Sequence, residues 1–548
     1  MQYKFNINVH KIEGRLSSSP QPSPHKLHKE LISLAYSLSQ ILLLLATPPA
    51  SETKTRKTAE PGILHSGSPV LQPRKMDSRF KIKTGYKEDV GDEPVSPTGQ
   101  YFNSNTLSVR VLSILESEYP IDDSCALSLL QDLFLPINPR FSSIMVFDKT
   151  GVKQWKRVEV NIPEHLHIPS FPEGLSLEEY DDYFDKYITE IAMKPLPKDQ
   201  PLWEVHIIKY PTTKAAGNII FKLHHALGDG FSLMGALLSC MKRADNPSLP
   251  LTFPSVKSSS EANSKAADEV GCLPKTISAI YNTTLDYGLS VLKCSLIADD
   301  RTPIRSGDEG VEFHPVQIST VALSLDQIRQ IKTAIGVTIN DVITGIIFLG
   351  TRLYMQSTGK GFSNSESTAL VLLNTRNING YKSVDEMVKA DSDSKWGNQF
   401  AFMHVALPEL INNSSNPLEF ISEAQKIIKR KRNSLAVYLT GQSLELLRKC
   451  RGPEAAAGFI HSTLQKSTMT ISNMIGPIEK MALANQPCKG MYFMVVSVPQ
   501  SLTITVLSYM RTLRIAVGVE KGYIDVQKFN SCIEDAFQLI YKASVKNP

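Results

Sequence analysis

Two mixed α/β domains are the fold class this sequence predicts. Three observations lead there. Strand-like and helix-like stretches are mixed in both halves of the chain instead of being segregated. Residues 255–271, SVKSSSEANSKAADEVG, break the globular texture with small and charged residues and read as a crossover linker. The 548 residues, 42% hydrophobic and 21% charged, are enough for more than one large core and too apolar for a disordered chain.

The elements follow in chain order. Residues 1–75 carry ten Lys/Arg against four Glu, with no Asp, eight Pro and ten Ser, which is the composition of a disordered or targeting extension. Inside it, Leu31 to Ala46 is an apolar run of 16 residues, short of the roughly 20 needed for a membrane span. The body opens at Met76, and a first domain over 76–254 is expected. Its clearest elements are strands at 142–148 and 203–210 and an amphipathic helix at 176–193. The linker section covers 255–310, where Ile277 to Ala298 is a moderately apolar stretch that suits a helix packed on the body or lying at a membrane interface. A second domain over 311–548 restarts with strand 316–325 and a helix whose Ser324 and Gln327 have capping-box spacing. A buried helix follows from about Thr338, then strands at 367–374, 399–407, 467–473, 490–498, 501–509 and 512–519.

Charge and cysteine content exclude several classes. With the first 75 residues at +6, the rest of the chain sums to −1, which offers no general field for nucleic acid. Seven scattered cysteines without a CxxC pair argue against a zinc site or disulfide framework and fit a reducing compartment.

The sharpest motif lies in NIIFKLHHALGDGFSLMGALLSCM, residues 218–241: a strand, a Gly-containing turn, then a helix. His224 and His225 sit at the strand end and point to different sides, so one of them is a candidate general base. Asp229 suits the N-cap of the following helix, with Gly228 and Gly230 permitting the turn. No HExxH or Cys/His cluster supports reading the pair and Asp229 as metal ligands, so no metal is expected. Ser232 lacks the final glycine of a nucleophile elbow.

HHALGDG matches the HHxxxDG signature of acyl-CoA-dependent O-acyltransferases. It stands with PLWEVHII (201–208), TINDVI (338–343), LLNTR (372–376), WGNQF (396–400) and SNMIGP (472–477), and together these resemble the plant wax ester synthase/diacylglycerol acyltransferase family over Met76 to the C-terminus. The DFGWG block of soluble plant alcohol acyltransferases is absent. The resemblance implies two chloramphenicol-acetyltransferase-like domains facing a central tunnel, with His225 as general base, His224 a buried neighbour and Asp229 structural, paired with Arg376. It implies no bound cofactor, with fatty acyl-CoA as co-substrate and a long-chain alcohol or diacylglycerol as acceptor. Asn340 is a candidate oxyanion donor, or else a structural residue at its helix start. Gly230, Arg376, Ser472 and Asn473 are the expected substrate-side residues.

The expected activity is esterification of long-chain alcohols to wax esters, with diacylglycerol as a further acceptor. Its rivals are a soluble alcohol acyltransferase of secondary metabolism and a catalytically silent lipid-binding member of the fold. Because the acceptors partition into bilayers, membrane association is expected, at the endoplasmic reticulum or also the plasma membrane, with cytosolic catalytic domains. Nucleic acid is not an expected partner.

Overall fold

The strand signals resolve into two large sheets and a small one of Glu93–Pro94, Lys153–Arg157 and Ser143–Phe147. The computed structural model describes residues 93–149, 151–253, 286–293, 297–362, 365–376, 384, 396–410, 416–432 and 436–546. The chain divides into two units, Met1–Tyr86 and Lys87–Pro548, and the described residues all belong to the second. The extension over 1–75, with its Leu31–Ala46 run, and the linker section 255–271 lie outside the described residues.

The first sheet has seven strands in the order Leu166–His167, Trp203–Ile208, Gly217–His224, Arg110–Ser117, Gln486–Val496, Met481–Leu483 and Met241–Arg243. The second has six, in the order Phe400–Ala406, Thr368–Asn374, Met469–Ile475, Leu502–Tyr509, Thr512–Glu520 and Val316–Ser324. Every strand from 481 to 496 therefore belongs to the first sheet although it lies deep in the second half of the sequence. The first sheet thus takes strands from both sides of the 255–310 section. Val496 pairs with Arg110, and Arg110 with His224, so a strand from the second half lies next but one to the strand that carries the histidines. Arg514 of the second sheet clamps Glu116 of the first with two bonds of 3.0 and 2.8 Å.

Helix Leu177–Met193 starts at Ser176, whose hydroxyl accepts from the Glu179 amide while the Glu179 carboxylate accepts from the Ser176 amide. Its buried stripe, Phe184, Ile188, Ile191 and Ala192, covers one face of the first sheet at Leu112, Ile114 and Ile220. The other face meets the core around Trp203, Phe221 and helix Gly230–Ser239. Helices Ile339–Thr358 and Val526–Lys546 cover one face of the second sheet. Its opposite face turns toward the first sheet, since Met474 packs into the first core and Leu370 into a cluster with Phe102. The expected helix at Thr338 begins there, capped by Thr338 and Asp341. At Ser324 the hydroxyl caps the Gln327 amide. Of the Ile277–Ala298 stretch, residues 286–293 are helical and packed on the body, with Asp286 and Val291 buried.

Candidate active site

Strand Gly217–His224 ends at the first histidine because the chain turns there, and helix Gly230–Ser239 begins six residues later. Between them the two imidazoles part, as strand alternation requires. His224 accepts from the Ala226 amide at Nδ1 (3.1 Å), so its proton sits on Nε2, 3.2 Å from the Ser108 hydroxyl. Burial, aided by the nearby Arg110 guanidinium, pushes this imidazole down to about 3, and it stays neutral at physiological pH. Both ring nitrogens are occupied.

His225 is buried against a stacked pair of aromatic rings, Phe102 at 4.7 Å and Phe400 at 5.6 Å between centroids. Its Nδ1 lies 2.9 Å from Asn398 Oδ1, and Asn398 Nδ2 donates to the His225 carbonyl at 2.8 Å. The second bond fixes which end of the amide is which, so Oδ1 must accept and Nδ1 must carry the proton. Nε2 is left as the lone-pair nitrogen. Burial holds the imidazole below its ordinary value, partly offset by the Asp229 carboxylate and the Asn398 bond. A neutral ring with a fixed tautomer is the state a general base requires.

Asp229 caps its helix by accepting from the Ser232 amide (3.1 Å). Its carboxylate also takes two bonds from Arg376, at 2.6 and 3.0 Å, and one from the Gln399 amide at 2.9 Å. The Arg376 side chain is 1% exposed and lies 4.8 Å over the Phe231 ring. Arg376 is thus a buried structural partner, as the resemblance implied for Asp229. Bonds to Asp229, Ser232 and the Gly397 carbonyl engage its guanidinium.

Four consecutive residues, Trp396 to Gln399, hold the motif in order. Trp396 donates to the Leu227 carbonyl (2.8 Å), Gly397 exchanges bonds with the Ser232 hydroxyl, Asn398 holds His225, and Gln399 reaches Asp229. Gly397 has φ +118°, a conformation that favours glycine. The WGNQF block marks this segment in the sequence, yet spacing alone gives no sign that Asn398 meets His225 across 173 positions.

The other predicted residues divide. Gly230 opens the helix where a Cβ would come within 2.7 Å of Met474 Sδ, so it permits the second sheet to approach the motif. Ser472 shares the strand face of Met474 and turns toward the first sheet. Asn473 points to the opposite, helix-covered face. It donates to Asn340 Oδ1 at 2.8 Å, and both residues are exposed. Neither is hydrogen-bonded to the HHALGDG turn among the described residues. The geometry gives Asn340 a structural partner in Asn473, whose strand position turns it away from the motif. Among the described residues no group of three or more His, Cys, Asp or Glu is placed to hold a metal.

Comparison with known proteins bears directly on this arrangement. Residues 148–343 match the wax ester synthase/diacylglycerol acyltransferase catalytic domain, and residues 396–541 the WS/DGAT C-terminal domain. The chain belongs to the wax ester synthase/diacylglycerol acyltransferase family. Wax ester synthase/diacylglycerol acyltransferase 4 of Arabidopsis thaliana is 28% identical over 82% of this chain and 89% of its own length. Wax ester synthase/diacylglycerol acyltransferase 11 of the same plant is 27% identical over 84% of this chain and 96% of its own. Among solved structures, the wax ester synthase/diacylglycerol acyltransferase from Marinobacter aquaeolei VT8 covers 82% of this chain and all of its own, at 15% identity and a TM-score of 0.52, which is a likeness of fold. As a WS/DGAT family member the chain is an acyltransferase, and both halves of the site, the HHALGDG turn and the WGNQ clamp, fall within the matched domains.

Proposed function

We propose that this acyltransferase moves a fatty acyl group from coenzyme A to the hydroxyl of a hydrophobic acceptor, a long-chain alcohol or diacylglycerol. The observation that carries the reading is the fixed tautomer of His225 against the Phe102 and Phe400 rings, an apolar setting with one free ring nitrogen. As the acceptor oxygen attacks the thioester carbonyl, Nε2 takes the hydroxyl proton. The new C–O bond forms, the tetrahedral intermediate collapses with cleavage of the C–S bond, and the departing CoA thiolate recovers the proton from His225. No covalent enzyme intermediate is required. Asp229 holds the loop and takes no proton, since its oxygens are already bonded to Arg376, Ser232 and Gln399.

Membrane association at the cytosolic face of the endoplasmic reticulum, or also the plasma membrane, follows from the acceptors, which dissolve in bilayers. No single described helix is long and apolar enough to cross one; a bent pair, Leu325–Ile335 with Ile339–Thr358, passes on length and composition, and its longer helix is largely buried in the core. Radiolabelled acyl-CoA supplied with a fatty alcohol and, separately, with diacylglycerol tests the reading. Labelled wax ester or triacylglycerol is the expected product. Transfer only to polar alcohols would point to the soluble-metabolite rival, and no transfer at all to a silent lipid-binding member.

A further inference from the structure

One stretch of the second half carries charge out of proportion to its length. Residues 417–451 hold eight Lys/Arg against three Glu, a net +5, in a body that is otherwise acidic. They form helices Pro417–Arg432 and Ala436–Arg451. Lys429, Arg430 and Arg432 are exposed at the end of the first, and Lys449 and Arg451 at the end of the second.

The second helix is also apolar on the outside. Leu439 is 37% and Leu446 59% exposed, and Cys450 is exposed beside them. At about 100° per residue these three fall within roughly 40° of one another, a single outward stripe. Among its described side chains only Ala436 is buried. On the inner side Leu444 packs against the buried cluster that contains Phe102, whose ring lies against His225. The helix therefore has an apolar underside on the Phe102 cluster and an outer face that is apolar along one line and basic at its end.

We propose that this outer face, together with the basic end of helix Pro417–Arg432, is the surface by which the enzyme lies on an anionic lipid bilayer. Each half of the feature selects the occupant. Phosphates of an anionic leaflet meet the Lys/Arg cluster, and the Leu439–Leu446 stripe enters the layer beneath the headgroups. A nucleic acid would use the charges and leave the leucines in water. A second copy of the chain would set +5 against +5. The docking face is the outside of the same helix whose Leu444 packs on the Phe102 cluster, and Phe102 lies against His225, so a lipid-dissolved acceptor has a short way to the base. The proposal rests on the acyltransferase reading above only for that last step.

Flotation of the full-length chain with vesicles of phosphatidylcholine alone, and of phosphatidylcholine and phosphatidylserine in equal parts, tests it. Wild type is expected to float with the mixed vesicles and to be released by salt, because the attraction decays over a Debye length of about 8 Å at physiological ionic strength. The Lys429→Gln/Arg432→Gln/Arg451→Gln variant is expected to lose on the order of 100-fold in partition, about fivefold per basic residue. Leu446→Ser should weaken binding to both vesicle types. Activity of these variants on detergent-dispersed acceptor should match wild type, which also shows that they fold. Equal flotation of variant and wild type, or of wild type on neutral and mixed vesicles, overturns the proposal. So does retention of wild type on heparin without flotation on mixed vesicles, which would assign the patch to another polyanion. Vesicle binding without acyl transfer in detergent would refute the enzymatic reading and leave the surface standing.

Discussion

Asn398 is the residue whose replacement separates a tautomer-setting role from a structural one. The bond from His225 Nδ1–H to its Oδ1, 2.9 Å long, is neutral before reaction and becomes charge-assisted once Nε2 has taken a proton. A neutral hydrogen bond contributes about 1 kcal/mol and one to a charged group about 1.5–3, so Asn398→Ala removes about 0.5–2 kcal/mol selectively from the transition state. The freed ring also populates the tautomer protonated at Nε2, which cannot accept the acceptor's proton. Together these lower kcat on the order of 10- to 100-fold. The variant also leaves the His225 carbonyl without its donor, which costs about 1–3 kcal/mol of stability. Asn398→Asp keeps an acceptor at Nδ1 and adds a negative charge, which favours the protonated imidazole. Because the base works only when neutral, the acid limb of kcat/KM should then move to higher pH. Steady-state kinetics of both variants across pH, with thermal melts alongside, provide the assay. An Asn398→Ala enzyme with kcat within about twofold of wild type and an unmoved pH profile would refute the tautomer argument.

Other outcomes follow from the same geometry. His225→Ala should lower turnover by roughly a hundredfold to ten-thousandfold with an unchanged melt, and His224→Ala should affect chemistry less; near-normal turnover in His225→Ala would remove it as the base. Asp229→Ala should melt earlier as well as work more slowly, since a lost cap costs about 1 kcal/mol and the stranded Arg376 about 3–5; wild-type melting without turnover would give Asp229 a direct catalytic role. His224 and His404 are both pushed by burial to about 3 from 6.5, so they stay neutral in the fold while the unfolded chain takes up protons below pH 6.5. Stability is therefore full above that pH and lost as it falls, by about 1.4 kcal/mol per histidine at pH 5.5, readable as a lower urea midpoint than at pH 7.5 and flattened in His404→Asn. Expression from Met76 should yield an enzyme of undiminished specific activity in detergent; its loss would place residues 1–75 within the catalytic fold.

Much of this architecture is legible in the sequence because its strands alternate or cluster in the expected way. Ten strands read from periodicity, Ser143–Phe147 through Thr512–Glu520, stand where apolar runs are bounded by turns. Strand Arg110–Ser117 is less visible, because every one of its residues is buried, so RVLSILES lacks the alternation of a half-exposed strand. The partnership of distant segments is not legible at all. Nothing local in GMYFMVVSV says that it pairs with Arg110–Ser117 in the first sheet, and nothing local in WGNQ says that its amide meets an imidazole. The same holds for Asn340: its position at a helix start is readable from TINDVI, whereas its partner Asn473 depends on how a later strand is set in the sheet. The Asp229–Arg376 pair was accessible only through the family pattern, since two residues 147 apart are linked by no periodicity.

The division of the site between the two halves has a consequence for how the base is made competent. His225 and Asp229 come from the first sheet and its helix, but the side chain that sets the tautomer and the counter-charge arrive from the second half: Asn398 on the imidazole, Arg376 and Gln399 on the carboxylate, with Trp396 and Gly397 on the turn and its helix. A first half folded alone would keep the turn's local cap at Ser232 and lose the acceptor that selects the reactive tautomer. It would also expose a carboxylate without its counter-charge. The strand Gln486–Val496 and the Glu116–Arg514 clamp hold the halves in register. Catalytic competence is thus a property of the docked pair of sheets, and the HHALGDG turn by itself specifies where the base sits without specifying which of its nitrogens is free.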